Sequence, residues 1–175
     1  LRLRRILGRR SGYEENLDSG ISQQFPSKNT ILNDLEKTGF DDDAKNDFLK
    51  GAKIAYETII TNFSNGNLKN IKNLLNKKIF DQFNEAINER KKKGLISNTT
   101  FVGINSASIK EHKIINNILE VTVDFVSEII SHVKDKNDKI QSGDPEKIKK
   151  VHDTWKFSRD IRSKNPNWFL TDTQT

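Results

Sequence analysis

The spacing of apolar residues changes abruptly near Thr99, and this change limits the folds open to the chain. Before Thr99, large apolar side chains recur every three or four residues, the spacing that places them on one face of an α-helix. After it, apolar and polar residues alternate and β-branched residues are frequent, as in half-buried strands. Helices followed by strands, without β–α alternation, predict an α+β fold whose N-terminal helices pack on a curved antiparallel sheet.

The helical half of the sequence predicts three helices. Asp41, Asp42 and Asp43 offer capping oxygens and negative charge to the first, whose apolar stripe runs through residues 48–63. A short second helix covers residues 68–75. A third carries its apolar residues at 79–87 and is ended by Gly94.

The second half predicts an antiparallel sheet with one covered face. Strands at 101–109 and 118–133 flank Asn116 and Asn117, a pair that favours a tight hairpin turn. The polar residues 134–147 predict a long loop. Strict alternation then predicts a strand at 150–161, and Pro166 opens a closing strand at 167–173.

Positive charge is concentrated at the N-terminus. Five of the 30 Lys and Arg residues lie within residues 1–12, which hold no acid, so 25 basic and 24 acidic side chains remain in the rest of the chain. We predict a basic flexible juxtamembrane arm at 1–29, a short helix and linker at 30–43, and the α+β domain at 44–175. The candidate lipid-binding residues of the arm are Arg2, Arg4, Arg5, Arg9 and Arg10.

Arginines beside a membrane are attracted to anionic lipid, each by about 1 kcal/mol at the surface, and they favour the cytoplasmic side. The alternative is a disordered basic arm that binds polyanions indiscriminately. No specific nucleic-acid partner is expected, because the rest of the chain is nearly neutral. The absence of methionine indicates a fragment or processed form, and no apolar run reaches the roughly 18–20 residues that span a bilayer.

Several kinds of chemistry find no support in the sequence. Without cysteine there is no disulfide, Cys-ligated zinc or thiol nucleophile. His112, His132 and His152 lack ligand-like spacing, so no metal site is predicted. Phosphate loops, nucleophile elbows and dinucleotide fingerprints are also lacking, so we expect no cofactor.

The concave face of the predicted sheet, roofed by helices, can enclose a cavity for lipid or peptide or hold a filled core. We expect most of its large side chains to fill the core and the open end of the cone to be the binding surface. The candidate pocket residues are Tyr56, Ile59, Phe80, Phe83, Arg90, Val123, Phe125, Asp153, Trp155, Phe157 and Arg159.

Asp153 carries the alternative of an enzyme. It shares the inward parity of Trp155 and Phe157, where desolvation raises the pKa of a carboxyl group. Small pocket enzymes of the ketosteroid-isomerase type use such a carboxylate to abstract a proton. The competing interpretation pairs Asp153 with an inward arginine, Arg159 or Arg90, or places it beyond the covered part of the sheet.

Residues 39–172 resemble the Tim44-like domain family. The resemblance is carried by residues 48–75, by Phe-x-x-x-Ile-x-x-Arg at residues 83–90, and most specifically by the Trp-Lys-Phe strand at 155–157 followed by Pro-Asn-Trp at 166–168. Here Arg159 stands two residues after the phenylalanine and Arg162 follows. The resemblance implies a nuclear-transport-factor-two or cystatin-like cone and a function in binding rather than catalysis.

The resemblance also implies an inner-membrane setting. Mitochondrial members of the family help to recruit a heat-shock chaperone to an import channel, and other relatives act as ribosome receptors. In bacterial relatives a membrane helix precedes an arginine-rich stretch, so we expect an anchor upstream of Leu1 and a domain facing the cytoplasm, or the matrix in a mitochondrion. The long charged region that engages chaperone and channel is lacking here, so the protein partner stays open.

Overall fold

The computed structural model describes residues 39–174. The predicted arm and residues 30–38 of the predicted helix and linker lie outside them. The helices are α1 (Asp42–Asn65), a 3-10 helix (Leu68–Leu74) and α2 (Lys77–Lys92). The strands are β1 (Ile96–Ile115), β2 (Ile118–Lys134), β3 (Ile140–Gly143), β4 (Lys149–Asp160) and β5 (Phe169–Gln174).

All five strands form one antiparallel sheet. Its order is β1-β2-β4-β5, and the short β3 pairs with the C-terminal end of β2. Three register shifts interrupt the pairing of β1 with β2. Such bulges bend a strand and increase its twist, which accounts for the curvature of this sheet. The predicted α+β fold, with helices before a curved antiparallel sheet, is confirmed.

The ends of the elements follow local chemistry. Asp41 caps α1, where its carboxylate accepts the Ala44 N–H at 2.9 Å. Gly66 ends the same helix in the left-handed conformation, at φ +75°. Asn116 and Asn117 both have positive φ, 50° and 66°, as the two central residues of a type I′ hairpin turn require.

Four features differ from those predicted. Strand β1 runs from Ile96 to Ile115, well beyond both ends of the predicted strand at 101–109. The stretch at 134–147 is not all loop: residues 140–143 form β3, because the Asp135 carboxylate accepts the N–H groups of Asn137 and Lys139 and so folds the chain back on β2. The closing strand begins at Phe169 rather than Asn167. The short second helix is a 3-10 helix, and Leu75 beyond it bridges to Leu170 in the closing strand.

The core lies between the helices and one face of the sheet. On β2 the side chains of Leu119, Val121, Val123 and Phe125 are buried, whereas Glu120 and Asp124 on the opposite face are half-buried. Thr122, also predicted on that opposite face, is buried as well. This alternation confirms the predicted covered face of the strand. Within residues 39–174, no helix is both long enough and apolar enough to cross a membrane.

Candidate functional site

The side chains that α1 directs toward the sheet differ in size along the helix. Its C-terminal half contributes Tyr56, Ile59 and Phe63, whose large side chains are buried in the core. Before Tyr56, apart from Phe48, the helix contributes small residues, which leave a space between it and the end of the sheet. These residues are Ala44, Gly51, Ala52 and Ala55.

That space is a groove of about 500 Å³. Volumes of about 300–1,000 Å³ are typical of ligand pockets in proteins. The groove is bounded by α1, by the start of β2, by the end of β4 and by the loop that leads to β5. Its lining is Gly39, Phe40, Ala44, Asp47, Phe48, Gly51, Ala52, Ala55, Leu74, Leu119, Arg159, Ile161, Pro166, Asn167 and Trp168.

Three aromatic rings form one wall of the groove. Trp168 lies against Phe48 with 4.6 Å between ring centroids, and Phe40 contacts both at 6.1–6.2 Å. The ring of His112 also contacts Phe40, with 5.3 Å between ring centroids. Burial lowers the pKa of His112, and the positive charge of Lys45 lowers it further. The wall therefore presents apolar surface to whatever enters the groove.

Arg159 is the cationic residue of this lining. It lies on β4 opposite Leu119 of β2, is half-buried, and its Nε has no hydrogen-bond partner among residues 39–174. None of the salt bridges within those residues includes Arg159. A buried donor without an acceptor is costly. The Arg159 guanidinium therefore lies at the groove without an ion-pair partner in this part of the chain.

Most of the candidate pocket residues instead fill the core. The structure brings together the rings of Tyr56, Phe125, Trp155 and Phe157, with Tyr56 stacked on Phe125 at 4.2 Å. Ile59, Val123 and Phe83 are also buried, and Phe80 is partly buried against the same cluster. Of the candidate pocket residues, only Arg159 lines the groove.

Asp153 makes a different contact from the one predicted. Its Oδ2 accepts a hydrogen bond from the Tyr56 hydroxyl at 2.6 Å, and neither Arg159 nor Arg90 pairs with it. Because Tyr56 donates its only proton there, the Ser127 hydroxyl at 3.0 Å is the donor in its own bond to Tyr56. Burial raises the pKa of Asp153, and the Tyr56 hydrogen bond opposes that rise.

Arg90 is occupied by the end of α1. Its Nη2 donates to the backbone carbonyls of Phe63 and Ser64 at 2.9 and 3.2 Å, and its guanidinium lies 5.3 Å from the Phe63 ring centroid. The last carbonyls of a helix lack intrahelical donors and carry partial negative charge. The Arg90 side chain from α2 therefore stabilises the C-terminus of α1 through its Nη2 group.

The groove also contains residues that the sequence interpretation missed. Phe40, Phe48 and Trp168 form its wall, yet Phe48 was assigned to the core stripe and Trp168 only to the closing strand. The signal that could have revealed it is the run of small residues Ala44, Gly51, Ala52 and Ala55 on one helix face. Small residues on an otherwise apolar stripe leave a gap wherever the facing element does not fill it.

Comparison with protein families decides the relationship of this chain. The family model described as the Tim44-like domain matches residues 37–175, most of the sequence. The chain belongs to the Tim44-like domain family. A search of curated proteins returns no match. The Tim44-like chain is also similar to a solved structure, the intermembrane space region of the chloroplast protein ARC6, with 12% identity and a TM-score of 0.47 over 72% of this chain and 94% of that one.

Membership of the Tim44-like domain family indicates the general kind of function. Tim44-like domains are translocase-related, membrane-associated domains, and they are known for association rather than catalysis. The Trp-Lys-Phe and Pro-Asn-Trp segments that carried the sequence resemblance meet in the structure: Trp155 and Phe157 lie in the core, and Trp168 forms the groove wall beside Phe48.

Proposed function

We propose that this protein is a non-enzymatic adaptor domain at an inner membrane, active in protein transport or membrane-protein biogenesis. In this proposal an upstream helix anchors the chain, the arginine arm contacts anionic lipid, and the folded domain faces the cytoplasm, or the matrix in a mitochondrion. The groove receives an apolar segment of a protein partner. Family membership supports the transport setting.

The observation that carries the proposal is the division of charge. Five arginines lie within the first ten residues, whereas the 25 basic and 24 acidic side chains of the remainder almost cancel. A surface that is nearly neutral overall gives little long-range attraction to a polyanion. Attraction to anionic lipid therefore falls mainly to the arm, at about 1 kcal/mol for each arginine at the membrane surface.

Salt provides the test of this part of the proposal. Electrostatic attachment is screened over a Debye length of about 8 Å at physiological ionic strength and about 3 Å at 1 M salt. We expect the chain to co-sediment with vesicles that contain phosphatidylserine and to dissociate from them as the salt concentration is raised. It should not co-sediment with vesicles of phosphatidylcholine alone. Equal binding to both kinds of vesicle, insensitive to salt, would show that the arm does not provide the attachment.

The groove supports the contact with a protein partner. Small residues on α1 let a partner approach closely, and the rings of Phe40, Phe48 and Trp168 offer apolar surface. Arg159 adds one fixed positive charge whose Nε has no partner among residues 39–174. An apolar segment with a single carboxylate fits Arg159, because a charge pair selects among otherwise similar apolar segments. Asp47, the acidic residue of the lining, disfavours partners that carry further carboxylates.

A pair of peptides tests this complementarity. We would titrate the chain with an amphipathic helical peptide whose apolar face carries one glutamate, and with the same peptide carrying glutamine, and follow the amide signals of Gly51 and Trp168 by NMR. The parent should prefer the glutamate peptide by about tenfold, the equivalent of about 1.4 kcal/mol. Arg159→Gln should erase the preference, while Arg162→Gln, at an exposed position, should retain it.

If parent and Arg159→Gln show the same preference, the carboxylate does not meet Arg159 and this part of the proposal fails.

The pocket-enzyme alternative is not favoured by the geometry. Asp153 is only 4% exposed, does not line the groove and is held by Tyr56, so a substrate has no open path to it through that groove. A general base must come within hydrogen-bond reach of the proton that it removes.

A further inference from the structure

One end of the sheet carries an unusual share of the exposed aliphatic surface. Five isoleucines are exposed among residues 39–174, and three of them belong to this end. Ile96 begins β1, Ile140 begins β3 and Ile148 directly precedes β4, with exposed fractions of 58%, 43% and 59%. We call these three side chains and the lysines around them the isoleucine tip.

Strand register brings the tip together. Ile96 on β1 and Ile140 on β3 both pair with Lys134 of β2, one on each side of it. Neighbouring strands lie about 4.7–4.9 Å apart, so the two isoleucines are separated by roughly 10 Å. Lys149, next to Ile148, pairs with Ile129, five positions back along β2 and therefore about 17 Å from Lys134.

Lysines surround these isoleucines. The three segments 91–96, 134–140 and 143–150 contain nine lysines and four acidic residues. The first two segments are in contact, since a Cβ added at Gly94 would meet the Lys136 side chain. The Asp135 carboxylate is already used by the backbone N–H groups of Asn137 and Lys139. The tip therefore combines aliphatic side chains with an excess of positive charge.

We propose that the isoleucine tip is a second membrane contact, which enters the headgroup region of an anionic bilayer. The inference rests on the proposed function, in which the chain works at such a membrane. Aliphatic side chains gain by leaving water at the acyl boundary, while lysine stems lie along the apolar surface and keep their ammonium groups among lipid phosphates. Single exposed isoleucines are ordinary; their concentration within a basic rim is not.

A membrane fits the tip better than a protein partner does. A stable protein interface uses roughly 20–30 residues from each side, whereas the aliphatic part of the tip is three side chains on three separate segments. Shallow insertion into a bilayer requires only a few aliphatic side chains, and the negative charge of anionic lipid attracts the excess of lysine.

The arm and the tip can reach the same bilayer. The groove lies at the N-terminal half of α1, and the tip lies near its C-terminus, where Ser64 contacts Ser97 of β1. At 1.5 Å per residue, the 24 residues of α1 separate the two ends of the domain by about 36 Å. The 28 residues between Arg10 and Gly39 can extend at most to about 100 Å, which exceeds that separation.

A single-site label provides the test. Because the sequence has no cysteine, Ile140→Cys or Ile115→Cys in the full chain can be labelled at one position with an environment-sensitive fluorophore. Ile115 is the matched control, since it is 48% exposed but begins the hairpin turn at the opposite end of β1. On vesicles containing phosphatidylserine, the label at 140 should shift to shorter wavelength and the label at 115 should not.

The outcomes separate this proposal from the function on which it rests. If the chain co-sediments while the label at 140 remains in water, or if both labels respond equally, the tip is not a membrane contact. If replacement of the arm arginines leaves binding unchanged, the account of the arm fails, whatever the label shows.

A triple variant gives an independent measurement. Ile96, Ile140 and Ile148 are each replaced by threonine, which keeps the β-branched shape, and the control is Ile54→Ala with Ile115→Thr. We expect the triple variant to partition about tenfold more weakly onto anionic vesicles, with the control and both thermal unfolding midpoints close to the parent. Unchanged partitioning of the triple variant would overturn the proposal. If its oligomeric state also changed, the tip would be assigned to contact with a second copy of the chain.

Discussion

Asp153 shows how one residue can be placed correctly by its sequence and still be given the wrong partner. Strict alternation along residues 150–161 predicted its inward side, and the structure buries it. Alternation cannot identify the partner, because Tyr56 lies 97 residues earlier on another element. Arg90 was unavailable as a partner because its guanidinium binds the last carbonyls of α1. The long-range hydrogen bonds of a site depend on packing that no local pattern encodes.

The buried Asp153 makes stability depend on pH. Its pKa is raised in the fold, so the stabilisation that it contributes is present below the unfolded-state pKa, about 3.9, and is lost as pH rises through the folded-state pKa. Asp153→Asn keeps the shape but does not ionise. The difference in unfolding free energy, variant minus parent, should therefore grow from pH 4 to pH 7 in urea titrations, by about 1.4 kcal/mol for each tenfold change in proton affinity on folding. A difference that is constant over this range would show that Asp153 is not desolvated.

At the scale of elements, boundaries were predictable wherever the chain's own chemistry sets them. Asp41 and Asn116–Asn117 marked a helix start and a hairpin turn that the structure shows. The strand β3 was missed because its four residues, Ile-Gln-Ser-Gly, are all exposed and lack alternation. Their strand conformation comes from pairing with β2 and from the turn built on Asp135, both of which are tertiary effects.

Gly143 should be the residue on which β3 depends. Its φ is +79°, and an added Cβ would overlap the Ser131 carbonyl oxygen. Gly143→Ala should therefore lower the unfolding free energy by about 2–4 kcal/mol, from backbone strain and overpacking together, and speed amide exchange in β3. Gly103→Ala is the control, since nothing lies within 4 Å of an added Cβ there. Equal stability of the two variants in urea would contradict the close approach of β3 to β2.

For the whole molecule, the change of period near Thr99 was enough to predict the order of helices and strands and the covered face of the sheet. The position of the cavity was not predictable in the same way. It depends on how α1, β2, β4 and the Pro166–Trp168 loop leave space around small residues, and sequence patterns report which face is apolar but not how completely it is filled. The large residues assigned to the concave face do occupy it, mainly as core.

The central claim is that attachment to anionic membranes comes chiefly from the arm. The direct measurement is co-sedimentation with phosphatidylserine-containing vesicles of a variant in which Arg2, Arg4, Arg5, Arg9 and Arg10 are all glutamine. The matched control removes five positive charges from exposed positions of the folded domain, namely Lys50, Lys53, Lys69, Lys72 and Lys78. Loss of about 1 kcal/mol for each arginine predicts binding at least about a hundredfold weaker for the arm variant, with thermal unfolding nearly unchanged and the lysine control close to the parent. Binding of the arm variant as tight as that of the parent would contradict the account and place the membrane contact on the folded domain.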